Sequence, residues 1–331
     1  MKVLVTGAGA LLGQGIIRAL KLSSLNPRIV AVDPSPLAAG LYWSDSAHLV
    51  PMASSPSYLD RLGEILASEK PDAVLVGTDV ELSVLARSRS DLRGRFGVEV
   101  LVSRPEAVSI ADDKWLTSEF LRKAGLGYVP SCLAGSHPEF AAEFGFPLVV
   151  KPRVGARSVG MAIVHDRNEL ERALDGRSGV VIQKLVGRDD TEYTAGTLTF
   201  SGTCAASIVM RRDLRDGNTY RAYSDSYPEL NRQMRIVAER LDAYGPANFQ
   251  FRLEDGQARI FEINCRFSGT TPLRAQAGFN EVEMALRHVL RGEPVVQPKV
   301  RPLVLLRHWE ETVIEPNRLV QGSPARTTAD A

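Results

Sequence analysis

Hydrophobic residues in the first third of the chain form short continuous runs separated by longer amphipathic stretches. The runs are typical of buried strands and lie at Val3–Thr6, Ile29–Val32, Ala73–Val76 and Val98–Leu101. The stretches between them predict helices at Leu12–Leu22, Tyr58–Ser68 and Val80–Arg89. Strands that alternate with helices in this way favour an α/β fold with a parallel sheet and right-handed crossovers.

The pattern changes after Pro105, where strands joined by short connections replace the regular alternation. Two long strands, Glu192–Phe200 and Thr203–Arg211, predict an antiparallel hairpin around Ser201-Gly202. Further strands are predicted at Phe146–Pro152, Met161–Val164, Val180–Gly187 and Leu303–His308, and helices at Asp112–Ala124, Glu229–Ala243 and Glu281–Arg291. The charged residues from Arg211 to Arg221 are interpreted as a loop. This part of the chain therefore indicates an α+β fold.

The clearest alternation of apolar and polar residues lies in two segments, Asn248–Arg252 and Phe261–Arg266, joined by the turn Glu254-Asp255-Gly256. These segments predict a half-buried hairpin. Its apolar side would carry Phe249, Phe251, Leu253, Phe261 and Ile263. Its polar side would carry Asn248, Gln250, Arg252, Glu262, Asn264 and Arg266.

The polar side of this hairpin has the groups that a magnesium ion and a phosphate prefer. Glu262, Asn264 and Gln250 could supply oxygen ligands to Mg²⁺. Arg266 could meet a phosphate through a bidentate contact. Alternation of this kind is also what an ordinary solvated sheet face shows, so the hairpin alone leaves both interpretations open.

Composition excludes several classes of protein. The chain has 331 residues, 44% hydrophobic and 24% charged, with a net charge of +1, so neither nucleic acid nor a membrane surface is an expected partner. Cys132, Cys204 and Cys265 are odd in number and far apart, which argues against a disulfide framework and favours a reducing, cytoplasmic location. No apolar run reaches the length of a membrane span, and the chain begins with a strand rather than a signal peptide.

A glycine-rich stretch, Gly7–Gly15, follows the first predicted strand and precedes a helix. Such a loop can bring backbone N–H groups close to an anion, and Asp33 at the end of the next strand stands where a ribose-binding acid would be in a dinucleotide site. The pattern is imperfect because Leu12 replaces the third glycine. A dinucleotide site, a loop for another ligand and a tight turn all remain open.

Three other features have both a functional and a structural interpretation. Asp79 follows the third strand, at the edge where open α/β sheets bind ligands, but it could equally cap the next helix. Lys114 lies in the first turn of a predicted helix, where a cation opposes the helix dipole, and by itself reads as an exposed lysine. The hairpin tip between Lys151 and Met161 is basic and glycine-containing, so it could cover phosphates or simply be a mobile loop.

Taken in order, these pieces resemble the ATP-grasp superfamily. The resemblance rests on Lys114, Val149–Pro152, Gly155–Gly160, Gln183–Val186, Glu192, Gln250 and Glu262–Arg266. The run Phe-Glu-Ile-Asn-x-Arg-x-Ser-Gly is similar to the carbamoyl phosphate synthase-like branch, which includes stand-alone amide-forming ligases of the pyrrolysine-biosynthesis type. The resemblance implies a Rossmann-like pre-ATP-grasp domain at residues 1–105, a lid subdomain at 106–185, a catalytic subdomain at 186–315 and a loose tail at 316–331.

The resemblance also implies roles for individual residues at the phosphates of ATP. Lys114 and Lys151 would lie on the α- and β-phosphates. The loop Gly155–Gly160 would cover the triphosphate, with Arg157 and Ser158 nearest to it.

For the adenosine part, the resemblance implies contacts from one strand and its end. The adenine would pair with the backbone at Lys184 and Val186, around Leu185 and next to Gln183. Glu192 would hold the ribose, with Asp190 as the alternative. Gln183 stands where a glutamate is common in the superfamily. This difference affects the side-chain contact to the adenine amino group and leaves the backbone contacts unchanged.

For the metal, the resemblance implies that Mg²⁺, or Mn²⁺ as an alternative, is held by Gln250, Glu262 and Asn264. For phosphoryl transfer, it implies that Arg266 and Lys151 are the catalytic residues. Gln250 is neutral where many relatives have an acid, so one or two metal ions are both left open. Asp79, Glu81, Arg211 and Arg221 are candidates for the substrate pocket.

The function that follows from the resemblance is an ATP-dependent carboxylate–amine ligase acting on small molecules. It would convert a carboxylate into an acyl phosphate, which an amine then attacks. Two alternatives are an NAD(P)-dependent oxidoreductase built on Gly7–Gly13 and a non-catalytic ATP-binding protein. A homodimer is compatible with the sequence.

Overall fold

The fold contains three β-sheets, seen in a computed structural model that describes residues 1–155, 159–188 and 192–321. The first sheet is entirely parallel and has the strand order β3-β2-β1-β4-β5. Its strands are β1 (Lys2–Val5), β2 (Arg28–Asp33), β3 (Ser46–Leu49), β4 (Ala73–Leu75) and β5 (Glu99–Leu101), and its helices are α1 (Leu11–Lys21), α2 (Tyr58–Glu69) and α3 (Asp79–Phe96). The predicted parallel α/β unit is confirmed. Strand β3 was not predicted because its residues are only partly buried and lack an apolar run.

The second sheet has four antiparallel strands in the order β6-β9-β7-β8. They are β6 (Ser131–Leu133), β7 (Leu148–Pro152), β8 (Ala162–Val164) and β9 (Val180–Lys184). Helices α4 (Pro105–Asp112) and α5 (Lys114–Lys123) precede this sheet, and α6 (His137–Phe144) and α7 (Arg167–Leu174) cover it. A small core, including Phe140, Leu148, Leu170 and Ile182, joins the sheet to α6 and α7.

The third sheet has six strands in the order β14-β13-β10-β11-β12-β15, and all of their pairings are antiparallel. The strands are β10 (Glu192–Phe200), β11 (Thr203–Arg215), β12 (Asn218–Ser224), β13 (Gly245–Glu254), β14 (Gln257–Asn264) and β15 (Leu303–Leu306). Helices α8 (Pro228–Arg240), α9 (Thr271–Gln276) and α10 (Glu281–Arg291) accompany it, and short 3₁₀ helices lie at Ala39–Trp43, Ala134–Ser136 and Pro316–Arg318. The predicted α+β part is therefore also confirmed.

The interpretation of residues 211–221 as a loop is wrong, because β11 and β12 continue almost to a two-residue turn. Asp216 and Gly217 have φ angles of 50° and 70°, which suits the tight hairpin turn that Asp-Gly favours. Charged residues on the outer face pair across the hairpin, where the Arg211 guanidinium lies 3.8 Å from the centre of the Tyr223 ring. The high charge obscured the alternation that marks these strands.

The predicted hairpin at residues 248–266 is confirmed, with one correction. Gln250 lies opposite Glu262 and Phe251 lies opposite Ile260, so Phe261 is the extra residue of a β-bulge. The bulge removes Phe261 from the apolar side and places its ring beside a cavity on the polar side. Ile260 takes its place in the core with Phe249.

The first and third sheets share a hydrophobic core, which fixes the position of one against the other. Buried Val3 and Val5 of β1 belong to the same cluster as Leu198, Phe200 and Phe267. Across this interface a Cβ atom on Gly15 would lie only 3.1 Å from Pro272, so α1 packs closely against α9. The contact holds the glycine-rich loop at the polar face of the third sheet.

In the part of the chain that the structure describes, no helix has both the length and the apolar character needed to cross a bilayer. Residues 322–331, most of the predicted loose tail, lie outside the described residues. The three cysteines are buried and form no disulfide bond.

Candidate functional site

Two adjoining cavities lie between the three sheets. One, of about 180 Å³, lies between the second sheet and the third. The other, of about 680 Å³, lies between the third sheet and the loops of the first. The cavities share a boundary lined by Lys114, Gly155, Arg212, Gly217, Gln250 and Glu262.

Most residues with a predicted role in ATP binding line these cavities. The first is lined by Lys114, Lys151, Gly155, Gln183, Lys184, Leu185, Val186, Glu192, Gln250 and Glu262. Asn264 and Arg266 line only the second cavity. Gly160 lines neither, and its carbonyl accepts a hydrogen bond from Arg177 at 2.6 Å. Arg157, Ser158 and Asp190 lie outside the described residues.

Lys151 is a buried cation on β7, with only 8% of its surface exposed. Burial lowers the pKa of its ammonium group to about 8, Glu262 opposes this effect, and neighbouring Lys114 adds to it. Its Nζ donates to the Phe261 carbonyl at 3.5 Å and lies 5.4 Å from the centre of the Phe261 ring. Among the described residues no carboxylate forms an ion pair with Lys151, and a buried ammonium group of this kind is suited to an anionic ligand.

Lys114 is not the exposed lysine that its position alone suggested. It is 7% exposed, and its Nζ donates to the Gly155 carbonyl at 2.7 Å. The preceding Asp113 caps α5 by accepting from Trp115 N–H at 2.8 Å, and it also pairs with Arg153 at 2.5 Å. Burial by itself raises the pKa of Asp113, but these hydrogen bonds lower it below its ordinary value. Asp113 and Lys114 thus hold Arg153 and Gly155, the residues that follow β7, in place; of these, Gly155 lines the cavity.

The proposed metal ligands lie together on the polar side of the hairpin. Oε1 of Glu262 accepts a hydrogen bond from Gln250 at 3.2 Å and one from Asn264 at 3.0 Å. One carboxylate with neighbouring amides fits a Mg²⁺ ion that takes its remaining ligands from phosphates and water. Among the described residues, no group of three or more His, Cys, Asp and Glu side chains could hold a metal by itself. The donors therefore suit a metal that arrives with a nucleotide.

Arg212 and Arg252 surround the carboxylate of Glu192. Nη2 of Arg212 donates to Oε1 of Glu192 at 2.7 Å and to Oε1 of Gln250 at 2.6 Å. Arg252 donates to Oε2 of Glu192 at 3.0 and 3.1 Å. Glu192 lines the first cavity, but both of its carboxylate oxygens already accept from protein guanidinium groups. The oxygen of Gln250 points to Arg212 rather than toward Glu262.

Arg266 joins the hairpin to the first sheet through an ion pair with Asp79. Its Nε donates to Oδ1 of Asp79 at 2.6 Å and its Nη2 donates to Oδ2 at 3.3 Å. The interpretation of Asp79 as a helix cap is wrong, because Asp79 is the first residue of α3, the capping position belongs to Thr78, and no side chain caps the helix. Asp79 instead lies in the second cavity with Arg266.

The end of β9 forms one wall of the first cavity, at the residues predicted to contact adenine. Gln183 is 2% exposed and donates through its side chain to Ser131 at 2.8 Å. The backbone N–H of Lys184 is bonded to the carbonyl of Pro130 at 3.0 Å, and its Nζ pairs with Glu254 at 3.1 Å. Leu185 and Val186 continue along the cavity wall.

Three of the four candidates for a substrate pocket do not line either cavity. Arg211 and Arg221 lie on the outer face of the third sheet, opposite Tyr223 and Asp213. Glu81 is buried beneath the cavity, where Thr6, Tyr58 and Thr78 donate to its carboxylate. Burial raises the pKa of Glu81. Its role is therefore to hold the loop that follows β4.

The glycine-rich loop lines the second cavity, but Asp33 does not present a free carboxylate there. Its Oδ2 accepts from Gly9 N–H at 2.7 Å and its Oδ1 accepts from Ser35 N–H at 2.9 Å. A Cβ atom on Gly13 would lie 2.1 Å from the carbonyl oxygen of Gly7, so this glycine is needed for close packing. The geometry favours a packed turn at the cavity wall over a dinucleotide site.

Sequence reasoning missed two arginines of the cavities, Arg212 and Arg307. Arg212 was assigned to the supposed loop at 211–221, whereas the period-2 alternation of β11 turns it inward while Arg211 and Asp213 face outward. Arg307 follows β15 and lines the second cavity. The alternation of Leu303 and Leu305 with exposed Val304 and Leu306 could have indicated its direction.

Comparison with known families covers two separate parts of the chain. Residues 180–312 match the family described as "ATP-grasp in the biosynthetic pathway with Ter operon". Residues 3–101 match the family described as "PylC-like, N-terminal domain".

Among curated proteins, the chain is 24% identical to the carbamoyl phosphate synthase large chain of Mesorhizobium japonicum over 343 residues, covering 88% of this chain and 29% of that protein. It is also 24% identical to the C-terminal section of the Aquifex aeolicus large chain, covering 82% of this chain and 54% of that one. The chain thus spans well under two thirds of these relatives.

Solved structures show the same fold. The N5-carboxyaminoimidazole synthetase of Staphylococcus aureus, complexed with ADP, superimposes with a TM-score of 0.73 at 16% identity, covering 92% of this chain and 81% of that one. A biotin carboxylase–β,γ-ATP complex from Campylobacter jejuni gives a TM-score of 0.66 at 17% identity, covering 86% and 70%.

Proposed function

We propose that the chain belongs to the ATP-grasp superfamily and is an ATP-dependent ligase that joins a carboxylate to an amine. The observation that carries the proposal is the convergence of three residues on the first cavity: Lys114 and Glu262 lie at its boundary with the second cavity, and Lys151 lines the first. These residues are distant in sequence and come from α5, β7 and β14. The first cavity then receives ATP, and the second receives the small-molecule substrates.

In this proposal the nucleotide lies between the second and third sheets. Lys114 and Lys151 neutralise its phosphates, and the tip around Gly155 covers them. The adenine lies against the backbone of Lys184–Val186, beside Gln183. The ribose contact proposed for Glu192 has to be made by a carboxylate that Arg212 and Arg252 already hold.

Magnesium, or manganese in its place, fits the hairpin through Glu262, with Asn264 and Gln250 beside it. An ion held there would supply positive charge that offsets the charge of the phosphates during phosphoryl transfer. Glu262 is the one carboxylate of this set, and the oxygen of Gln250 is bonded to Arg212. These contacts favour one firmly held ion over two.

The chemistry requires activation because a carboxylate has no good leaving group at neutral pH. Transfer of the γ-phosphoryl group to the carboxylate oxygen gives an acyl phosphate and ADP. An amine then attacks the acyl carbon, and inorganic phosphate leaves. The residues of this chain contribute positioning and charge neutralisation, which phosphoryl transfer chiefly needs. Enclosure by the lid would exclude water from the acyl phosphate.

A thermal-shift comparison tests the choice of nucleotide. Mg·ATP and Mg·ADP are expected to raise the unfolding temperature, because a ligand that binds the folded state stabilises it. NAD⁺ and NADP⁺ should give no shift, since Asp33 is already bonded to Gly9 and Ser35. Stabilisation by NADP⁺ but not by Mg·ATP would refute the proposal.

A screen of carboxylate and amine pairs by ADP release then distinguishes a ligase from a non-catalytic ATP-binding protein. Release that requires both partners supports the ligase. Glu262→Gln should reduce turnover at least about 100-fold while the unfolding temperature stays within about 2 °C of the wild type. Exposed Glu229→Gln is the matched control, because its carboxylate pairs only with residues of its own helix. Substantial activity in Glu262→Gln would remove the metal assignment.

A further inference from the structure

Arg307 is directed into the second cavity by the alternation of the strand that precedes it. In β15, Leu305 lies opposite Ala222 and is 6% exposed, whereas Val304 and Leu306 are 65% and 66% exposed. Arg307 is the next residue on the side of Leu305. Its backbone N–H remains bonded to the Tyr220 carbonyl at 3.1 Å, so the strand geometry continues to this position.

The guanidinium group of Arg307 has no carboxylate partner in the part of the chain that the structure describes. Its one hydrogen bond there goes to the backbone carbonyl of Gly269. Burial lowers the pKa of this guanidinium, and the charge of Arg18 lowers it further. The other two arginines of the second cavity differ, because Arg266 pairs with Asp79 and Arg212 pairs with Glu192. A desolvated cation without a counter-ion is suited to an anion from outside the protein.

Arg307 does not lie at the boundary that the two cavities share. Glu262 and Lys114 line both cavities, and Lys151 lines the first, so the phosphates belong at that boundary. Arg307 lines only the second cavity, beside the loop Ser268–Thr270. An anionic group bound at Arg307 would therefore lie outside the boundary that Lys114 and Glu262 form.

We propose that Arg307 is a specificity-determining residue that binds an unreactive carboxylate or phosphate group of the substrate. This inference rests on the proposed ligase function and deepens it. The substrate class is then a small carboxylic acid with a second anionic group, held by the second group at Arg307 while the first meets the phosphates. The carbonyl of Gly269 holds the guanidinium in place, and its planar shape matches either kind of anion.

Matched probes test this inference without knowledge of the natural substrate. Binding of succinate, 3-phosphonopropionate and propionate is measured by calorimetry on the full chain saturated with Mg·ADP. Propionate has the reacting carboxylate but lacks a second anionic group. The wild type should bind at least one of the dianionic probes about tenfold more tightly than propionate. Which of the two is preferred distinguishes a carboxylate from a phosphate.

Arg307→Gln should reduce this preference to less than about twofold, and Arg307→Lys should retain part of it because the charge remains. Arg301→Gln is the control, because Arg301 is exposed and also donates to a backbone carbonyl, that of Gln276. Absence of a preference in the wild type, or an undiminished preference in Arg307→Gln, overturns the inference. Stabilisation by Mg·ADP is measured separately in every variant, so failure of nucleotide binding is distinguished from failure at Arg307.

Discussion

The lowered pKa of Lys151 predicts that nucleotide binding takes up a proton. In the free protein the ammonium group loses its proton near pH 8, because burial disfavours its charged form. A bound phosphate favours the charged form and should return the pKa to its ordinary range. Binding of Mg·ADP at pH 8 should therefore take up about half a proton from solution.

The same linkage gives the expected change in affinity. With a pKa of about 8, most Lys151 side chains are charged at pH 7.5 and about a tenth are charged at pH 9. The affinity for Mg·ADP should therefore fall about eightfold between these values, or about 1.3 kcal/mol. The stability of the free protein changes with pH in the opposite direction to the affinity. A lysine with a depressed pKa contributes stability above its unfolded-state pKa and loses it as pH falls through about 8.

Calorimetry in two buffers of different ionisation enthalpy measures the proton uptake directly. ADP is a suitable ligand because phosphate ionisation is essentially complete by pH 7.5. Lys151→Met should bind more weakly at pH 7.5 and show no fall in affinity up to pH 9. Lys123→Met is the control, since the Lys123 side chain is 71% exposed. An affinity that is flat with pH in the wild type, or that falls equally in Lys151→Met, would refute the reasoning.

Two further predictions concern the packing that supports the site. Glu281→Ala should lower the free energy of unfolding by about 3–5 kcal/mol, because it leaves the buried guanidinium of Arg274, which is 1% exposed, without its carboxylate partner. Urea unfolding measures this free energy, and a loss below about 1 kcal/mol would contradict the prediction. Gly13→Ala should lower the free energy of unfolding by about 2–3 kcal/mol in the same assay, because the new methyl group would lie 2.1 Å from the Gly7 carbonyl oxygen. Gly94→Ala is the control, since no atom lies within 4 Å of the position that its methyl group would take.

The sequence predicted the architecture well where the pattern of burial is simple. Strands β1, β2, β4 and β5 of the first sheet are continuous apolar runs, and β13 and β14 alternate clearly, so these elements and most of their side-chain directions were predicted. The bulge at Phe261 was not predictable in this way, because one extra residue reverses the direction of a side chain without changing the pattern of residue types.

Charge caused the main errors around the site. The run of arginines and aspartates near Arg211 was interpreted as a loop, although both faces of a two-stranded ribbon can carry charges that pair across it. The reading of Asp79 as a helix cap failed because the alternative partner, Arg266, is distant in sequence. Local patterns show what a residue could do nearby, whereas such ion pairs depend on tertiary contacts.

The motif residues at the cavity boundary were predicted through the resemblance rather than from their local patterns. Lys114 by itself read as a surface lysine, and only its place in the ordered series of motifs indicated a ligand. The burial of Lys114 and Lys151 agrees with that interpretation. Their roles toward ATP stay predictions, to be tested by the binding experiments above.

The ion pair between Asp79 and Arg266 means that the first sheet contributes a carboxylate directly to the polar hairpin. Grafting the first hundred residues of another protein onto the remainder of this chain would therefore change more than a supporting surface. Unless the donor supplied an acid at the matching place, Arg266 would stand as an uncompensated charge in the larger cavity. The N-terminal unit and the hairpin are thus expected to be inherited, and exchanged, as a pair.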